Sequence, residues 1–276
     1  MSTTFSELGI HAALQKSLAK LEISIPTDVQ EKTIPLILHK KEDVVVLAKT
    51  GTGKTAAFGL PILQLVDSES KDIQVLILAP TRELGHQIYD NLISFAAEDQ
   101  KATIASICGG IPIKPQIERL KETIHIVVAT PGRLIDLLDK GEVQLDDLQI
   151  TVLDEADQMA DMGFLPVVKE ILDQAKLDGQ RLLFSATLDR GVDSLVRQYL
   201  KNPKTHSLQN DRASVSTMEH FVLVMNPGDK DDITNQIAAR NGKTIMFVKT
   251  QRGADRLADK LAHAGVAVGA LHGGKS

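Results

Sequence analysis

The stretch Ala48-Lys49-Thr50-Gly51-Thr52-Gly53-Lys54-Thr55 constrains this chain more than any other. It follows the apolar run Val44-Val45-Val46-Leu47, which reads as a buried parallel strand. It precedes Ala56-Ala57-Phe58-Gly59-Leu60, which reads as the start of a helix. A strand, a glycine-bearing loop, Gly-Lys-Thr and a helix form the setting that a phosphate-binding loop requires. The glycines let backbone N–H groups turn toward one point. The helix N-terminus adds partial positive charge there, and Lys54 adds a full one. A triphosphate is the anion that fits this cradle, and Thr55 carries the hydroxyl that would ligate Mg²⁺. The first position is Ala48, where glycine is common, and alanine is nearly as small.

The rest of the chain alternates strand-like and helix-like patterns. Phe5, Leu8, Ile10, Leu14 and Leu18 recur at helical spacing over residues 5–20, and Pro26-Thr27-Asp28-Val29-Gln30 restarts a helix with Thr27 as its cap. Apolar strands are expected at 73–79, 103–108, 124–128, 148–153 and 180–184. They run in turn into Pro80-Thr81-Arg82, Gly109-Gly110, Thr130-Pro131-Gly132-Arg133, Asp154-Glu155-Ala156-Asp157 and Ser185-Ala186-Thr187. Helices are expected between them, at 84–92, 117–120, 134–138, 167–175 and 191–200. Such alternation predicts the α/β class, a parallel sheet with helices on both faces. Ligands of such sheets sit outside the carboxyl ends of the strands, so groups distant in sequence are expected to converge there.

Residues 202–217 are poor in apolar side chains and read as a linker. Beyond them strands are expected at 220–225, 244–248 and 266–270, with helices at 229–240 and 253–264. The predicted division is 1–205, a linker at 206–218, and a second unit at 219–276. That unit, about 60 residues, is near the lower limit for an independent core. It stops directly after a strand, where a loop and helix would be expected, so the chain reads as cut.

Composition narrows the function. A length of 276 residues suits one large or two small domains. No apolar run approaches a membrane span and the N-terminus carries no signal peptide pattern. The single cysteine, Cys108, excludes an internal disulfide and suits a reducing cytoplasm, which is the expected location. The eight histidines never meet Cys or carboxylates at metal-ligand spacing, so no structural zinc is expected. With a net charge of −5 there is no bulk basic footprint, and any nucleic acid must be held by local groups.

Asp154-Glu155 follows an apolar strand, as a Walker B carboxylate should. Asp154 can hold Mg²⁺ opposite Thr55, and Glu155 is placed to orient or deprotonate an attacking water. Phosphoryl transfer needs positioning and charge neutralisation above all, and this set supplies both. Taken alone, Asp-Glu-Ala-Asp reads equally well as an acidic helix cap. The upstream phosphate loop decides for the catalytic reading.

In this order the motifs resemble those of the DEAD-box ATP-dependent RNA helicases: Phe5 with Pro26-Thr27-x-x-Gln30, Ala48–Thr55, Pro80-Thr81-Arg82-Glu83-Leu84, Gly109-Gly110, Thr130-Pro131-Gly132-Arg133, Asp154-Glu155-Ala156-Asp157 and Ser185-Ala186-Thr187. The resemblance implies a RecA-like lobe through residue 205 and the beginning of a second from 219, with Phe247-Val248-Lys249-Thr250 near a further motif. It implies ATP and Mg²⁺ as cofactors, and RNA as a partner gripped by its backbone and largely independent of sequence. Lys54, Asp154 and Glu155 would be catalytic, with Thr55 and Asp154 at the metal. Phe5, Ile23, Pro26, Thr27 and Gln30 would serve the adenosine, Gln30 by a bidentate amide pair like that between Gln and adenine in DNA. Ala48, Thr50, Gly51, Thr52, Gly53, Lys54 and Thr55 would cradle the phosphates. Pro80, Thr81, Arg82, Gly109, Gly110, Thr130, Pro131, Gly132 and Arg133 would grip RNA phosphates, contacts that fix register and carry no sequence information. Asp157, Ser185, Ala186 and Thr187 would couple nucleotide state to lobe closure.

Two positions depart from the family pattern. Glu22 stands where glycine is usual, and Ile23 where an aromatic usually packs on the base. Base packing is therefore expected to be aliphatic. The family's last motifs, with the second lobe's arginines, would follow residue 276. The chain by itself is expected to bind nucleotide weakly and to show almost no RNA-stimulated turnover. Two other readings remain at this point. One is a stand-alone nucleotide-binding or interaction module. The other is a DNA translocase of the same superfamily, against which Gln30 and the full Asp-Glu-Ala-Asp word argue.

Overall fold

Short runs of aliphatic residues organise the first part of the chain. The structure is a computed structural model and describes residues 3–40, 42–98, 101–176, 178–208, 219 and 221–274. Contacts divide the chain into two units, Met1–Ala213 and Ser214–Ser276. In the first unit the strands are β1 (Val44–Leu47), β2 (Val75–Leu78), β3 (Ile104–Ile107), β4 (Ile126–Ala129), β5 (Ile150–Leu153), β6 (Gln180–Ser185) and β7 (Lys204–Ser207). They form one sheet in the order β3-β4-β2-β5-β6-β1-β7, and every neighbouring pair is parallel.

The strands read as continuous apolar runs because both faces of a parallel sheet are covered. Alternate residues go to opposite sides. Val44, Val46, Val75, Ile77, Ile126, Val128, Val152, Leu182 and Phe184 join one core. Val45, Leu76, Leu78, Val127, Ala129, Leu153 and Leu183 join the other. Helices α1 (Ala12–Lys20), α2 (Asp28–Pro35), α3 (Lys54–Leu65) and α4 (Arg82–Phe95) cover the first face, with Leu18, Ile34, Phe58, Leu60 and Ile88 in its core. On the other face lie α5 (Ile113–Leu120), α6 (Pro131–Asp139), α7 (Ala156–Asp161), α8 (Leu165–Gln174) and α9 (Arg190–Tyr199). The α/β expectation for this unit holds.

Local differences have local causes. The helix expected over 5–20 begins at Ala12, after a turn in which Gly9 has φ +88°. Phe5, Leu8 and Ile10 still reach the core from that turn. α7 was not anticipated, because its one turn follows the acidic motif without an apolar stripe. The largest correction concerns the linker. Residues 204–207 are strand β7, paired with β1, and so belong to the sheet. Asp43 fixes this edge: its carboxylate accepts from Lys201 N at 2.6 Å and Arg181 N at 2.7 Å, and its carbonyl accepts from Lys204 N at 2.8 Å. An edge strand exposed along most of its length needs no apolar alternation, so its sequence looks like loop. Residues 209–218, the rest of the expected linker, lie outside the described residues.

The second unit contains α10 (Lys230–Ala238) and α11 (Gln251–His263). Thr250 caps α11, its Oγ1 accepting from Gly253 N at 3.0 Å. None of the strands expected at 220–225, 244–248 and 266–270 appears among the described residues. A strand exists only as a ladder with a neighbour, and the apolar side chains Phe221, Val222, Val224, Ile245 and Phe247 of these segments are exposed. No described helix is long and apolar enough to cross a membrane.

Candidate functional site

The loop between β1 and α3 is held from two sides. Ala48 N donates to Ser185 O at the end of β6 (2.9 Å), and Thr52 Oγ1 donates to Lys49 O (2.8 Å). At the start of α2, Gln30 Oε1 accepts from Thr27 N (3.0 Å), Gln30 Nε2 donates to Gly53 O (3.1 Å) and Thr27 Oγ1 donates to Thr52 O (2.9 Å). The carbonyls of residues 52 and 53 are thus taken by α2, which suits a loop whose N–H groups serve an anion. Gly53 has φ +88°, and a Cβ there would lie 2.5 Å from Gln30 Nε2. Only glycine fits that corner.

Lys54 opens α3 and is buried. Its Nζ lies 2.8 Å from Glu155 Oε1, and the two side chains are only 5% and 11% exposed. Asp154 ends β5, with its N–H on Leu78 O at 3.0 Å, and its Oδ1 accepts from Glu155 N at 3.0 Å. Glu155 itself sits at φ +49°, ψ 53°, a left-handed conformation that costs a non-glycine residue of order 1–3 kcal/mol and that clusters at functional sites. Burial pushes the Asp154 carboxyl up to about 7, and the Glu155 charge adds to this while Lys54 opposes it. A carboxylate so short of compensation fits a cation. Among the described residues no three acidic, histidine or cysteine side chains gather around one metal position. The single buried carboxylate of Asp154 fits Mg²⁺, which takes one or two carboxylates and completes its shell with phosphates and water.

Asp157, in the first turn of α7, reaches β6. Its Oδ2 accepts from Ala186 N (3.2 Å), Thr187 N (2.9 Å) and Thr187 Oγ1 (3.1 Å), and its N–H donates to Ser185 Oγ (3.1 Å). Burial alone would raise this carboxyl, but the Ser185 and Thr187 hydroxyls with the backbone N–H groups hold it below the usual range.

A second cluster lies after β2, β3 and β4. Thr81 caps α4, its Oγ1 accepting from Leu84 N at 3.2 Å. The exposed Arg82 pairs with Glu83 (2.9 Å) and approaches Gly110 O (3.5 Å). Thr130 Oγ1 accepts from Gly109 N at 3.0 Å, and Arg133 Nη2 donates to Ile111 O at 2.9 Å. Pro131 opens α6 and Gly132 beside it is exposed, whereas Pro80 is buried. Side chains from the ends of β2 and β4 therefore meet on the loop after β3. The sheet order separates the two clusters: β5, β6 and β1 are contiguous, and so are β3, β4 and β2.

Three residues expected at the adenosine stand differently. Phe5 is 4% exposed and packs in the core, so its ring offers no face to a base. Ile23 is half-buried against the same core, and Ile25 is the exposed aliphatic neighbour. Gln30 is buried with each end of its amide already engaged by the chain. Glu22 has φ +59° and ends α1: its N–H bonds Ala19 O (3.1 Å) while Ile23 N bonds Leu18 O (2.9 Å), a Schellman cap whose left-handed position usually holds glycine. Gln116, which the sequence reading did not single out, is the one buried residue of α5.

A family model described as DEAD/DEAH box helicase matches residues 27–195. The chain is 36% identical over 273 residues to the DEAD-box ATP-dependent RNA helicase CshA of Geobacillus kaustophilus, covering 98% of this chain and 58% of the relative. It is 37% identical over 279 residues to the RNA helicase CrhR of Synechocystis, covering 100% of this chain and 56% of the relative. A solved DEAD box protein from the hyperthermophile Methanococcus jannaschii superposes with a TM-score of 0.73 at 34% identity, covering 99% of this chain and 74% of that one. The chain thus spans a little over half the length of these curated relatives. With the family model matched over more than half of its residues, this chain belongs to the DEAD/DEAH box helicase family.

Proposed function

We propose that this chain carries the ATP-binding lobe of an ATP-dependent RNA helicase, in which hydrolysis is coupled to local, largely sequence-independent separation of RNA strands. In this reading the first lobe runs through β7, and residues 219–276 begin a second RecA-like lobe. The observation that carries the proposal is the buried Lys54–Glu155 pair beside an under-compensated Asp154, linked through Asp157 to the 186–187 amides.

The residues divide the chemistry among them. Residues 50–55 bind the phosphates through backbone N–H groups, and Lys54 exchanges its Glu155 partner for phosphate oxygen. The released Glu155 carboxylate then orients the attacking water and takes its proton at Oε1. Thr55 and Asp154 would hold Mg²⁺, which when bound would neutralise charge developing on the phosphates. Asp157 ties that state to Ser185, Ala186 and Thr187. Thr81, Arg82, Gly109, Gly110, Thr130, Gly132 and Arg133 grip RNA phosphates, with Pro80 and Pro131 shaping the two turns. Adenine packs on aliphatic Ile23 and pairs with the N–H and lone pair that Gln30 has left.

The test is ATP hydrolysis with and without single-stranded RNA, in competition with DNA of the same sequence. It is run on this chain and on a form extended to the length of the relatives. RNA-stimulated turnover is expected of the extended form and almost none of this chain. An extended form that RNA does not stimulate, or that DNA stimulates equally, would refute the proposal.

A further inference from the structure

α5 buries one residue fully, and that residue is polar: Gln116. Its Nε2 donates to Cys108 O at 3.0 Å and to Pro112 O at 3.4 Å. An amide nitrogen has two hydrogens, and here they hold the two ends of the Gly109-Gly110-Ile111 loop. The peptide joining Cys108 to Gly109 is gripped from both sides. Gln116 takes its carbonyl, and Thr130 Oγ1 takes its N–H at 3.0 Å. A trans peptide is planar, with C=O and N–H opposed, so these two bonds fix the plane. The next two carbonyls with side-chain donors are Gly110 O, approached by Arg82, and Ile111 O, bonded to Arg133. Gln116 Oε1, meanwhile, is buried without a partner among the described residues. An orphaned buried acceptor is a cost to stability, which the two bonds from Nε2 offset.

We propose that Gln116 is a positioning residue of the RNA grip. It sets the loop on which Thr130, Arg82 and Arg133 converge and touches no RNA itself. The inference rests on the RNA-binding reading above. The experiment compares wild type with Gln116→Met and Gln116→Glu. It measures binding of a labelled oligouridylate across a salt series, nucleotide affinity, and thermal unfolding. Gln116→Met should weaken RNA binding about tenfold, the loss of about 1.4 kcal/mol, with nucleotide affinity nearly unchanged and a modest fall in Tm, because Cys108 O and Pro112 O lose their donor. The slope of log K against log salt should stay at its wild-type value, because an amide releases no counterion. Arg82→Ala should lower that slope by about 0.7. Gln116→Glu, which turns a carboxylate toward two carbonyls, should weaken RNA binding further. It also decides by the same readouts should Gln116→Met lose its cooperative melt.

Wild-type RNA affinity in a folded Gln116→Met overturns the inference. So does a parallel loss of RNA and nucleotide affinity with a large fall in Tm, which marks a folding role. A wild-type chain that binds no RNA sinks the parent reading, and this inference falls with it.

Discussion

Asp154→Asn tests the electrostatics of the site directly. Asp154 is almost fully buried, and burial first, then the Glu155 charge, lifts its carboxyl from the ordinary 3.8 to about 7 against the pull of Lys54. The folded chain therefore binds this proton more tightly than the unfolded chain does. Below pH 3.8 both states are protonated and the group costs nothing. As pH rises toward about 7 the unfolded state ionises first, and folding stability falls. At about 1.36 kcal/mol per pKa unit, the shift sets an upper bound of about 4 kcal/mol on this loss. Asn keeps an oxygen for Glu155 N and removes the charge. Without nucleotide or Mg²⁺, the variant should gain on wild type as pH rises, and the gap should level off above about pH 7. At about 2–4 °C per kcal/mol, the Tm gap opens by at most about 8–16 °C. Thermal melts of both proteins at a series of pH values check this. A gap that stays constant from about pH 5 to about pH 8 would refute the assignment of a raised carboxyl to Asp154. Mg²⁺ with nucleotide should stabilise wild type at the upper pH and do much less for the variant.

In the extended form, Glu155→Gln should abolish turnover while nucleotide still binds; undiminished hydrolysis would contradict the role given to Glu155. Glu22→Gly relieves a left-handed glutamate at a Schellman cap and should stabilise the fold by about 0.5–1 kcal/mol in urea unfolding. Gly53→Ala would drive a Cβ to 2.5 Å from Gln30 Nε2 at φ +88°. Titration calorimetry should find its nucleotide affinity lowered by at least about tenfold, a loss of about 1.4 kcal/mol. Normal affinity there would mean that the α2 latch is not needed.

Much of the first unit was legible because its signals are local. Buried parallel strands announce themselves as aliphatic runs, and turns at their ends need glycine, proline or a capping hydroxyl. So the strand ends, the phosphate loop and the acidic motif could be read one at a time. What failed was decided by hydrogen bonds to residues far along the chain. β7 carries no apolar alternation, because backbone pairing to β1 and the Asp43 carboxylate hold it. Phe5 was grouped with the adenosine residues, yet the turn at 5–9 folds it into the core. The strands expected in the second unit have apolar sequences but no ladder among the described residues, and apolar sequence without a neighbouring edge does not make a strand.

The sequence by itself determined the class of fold and the groups on offer: a glycine-bearing loop before a helix, a carboxylate pair after a buried strand, and polar turns at the strand ends. Covalent identity and short-range spacing are enough for that. Tertiary structure decided how those groups combine. Only the order of strands in the sheet brings the ends of β1, β5 and β6 together as one cluster and those of β2, β3 and β4 together as another. Only folding sets Lys54 against Glu155, presses Gln30 onto the phosphate loop and turns Gln116 into a clamp. Pairing of this kind depends on which strand lies beside which, and no stretch of local sequence specifies that.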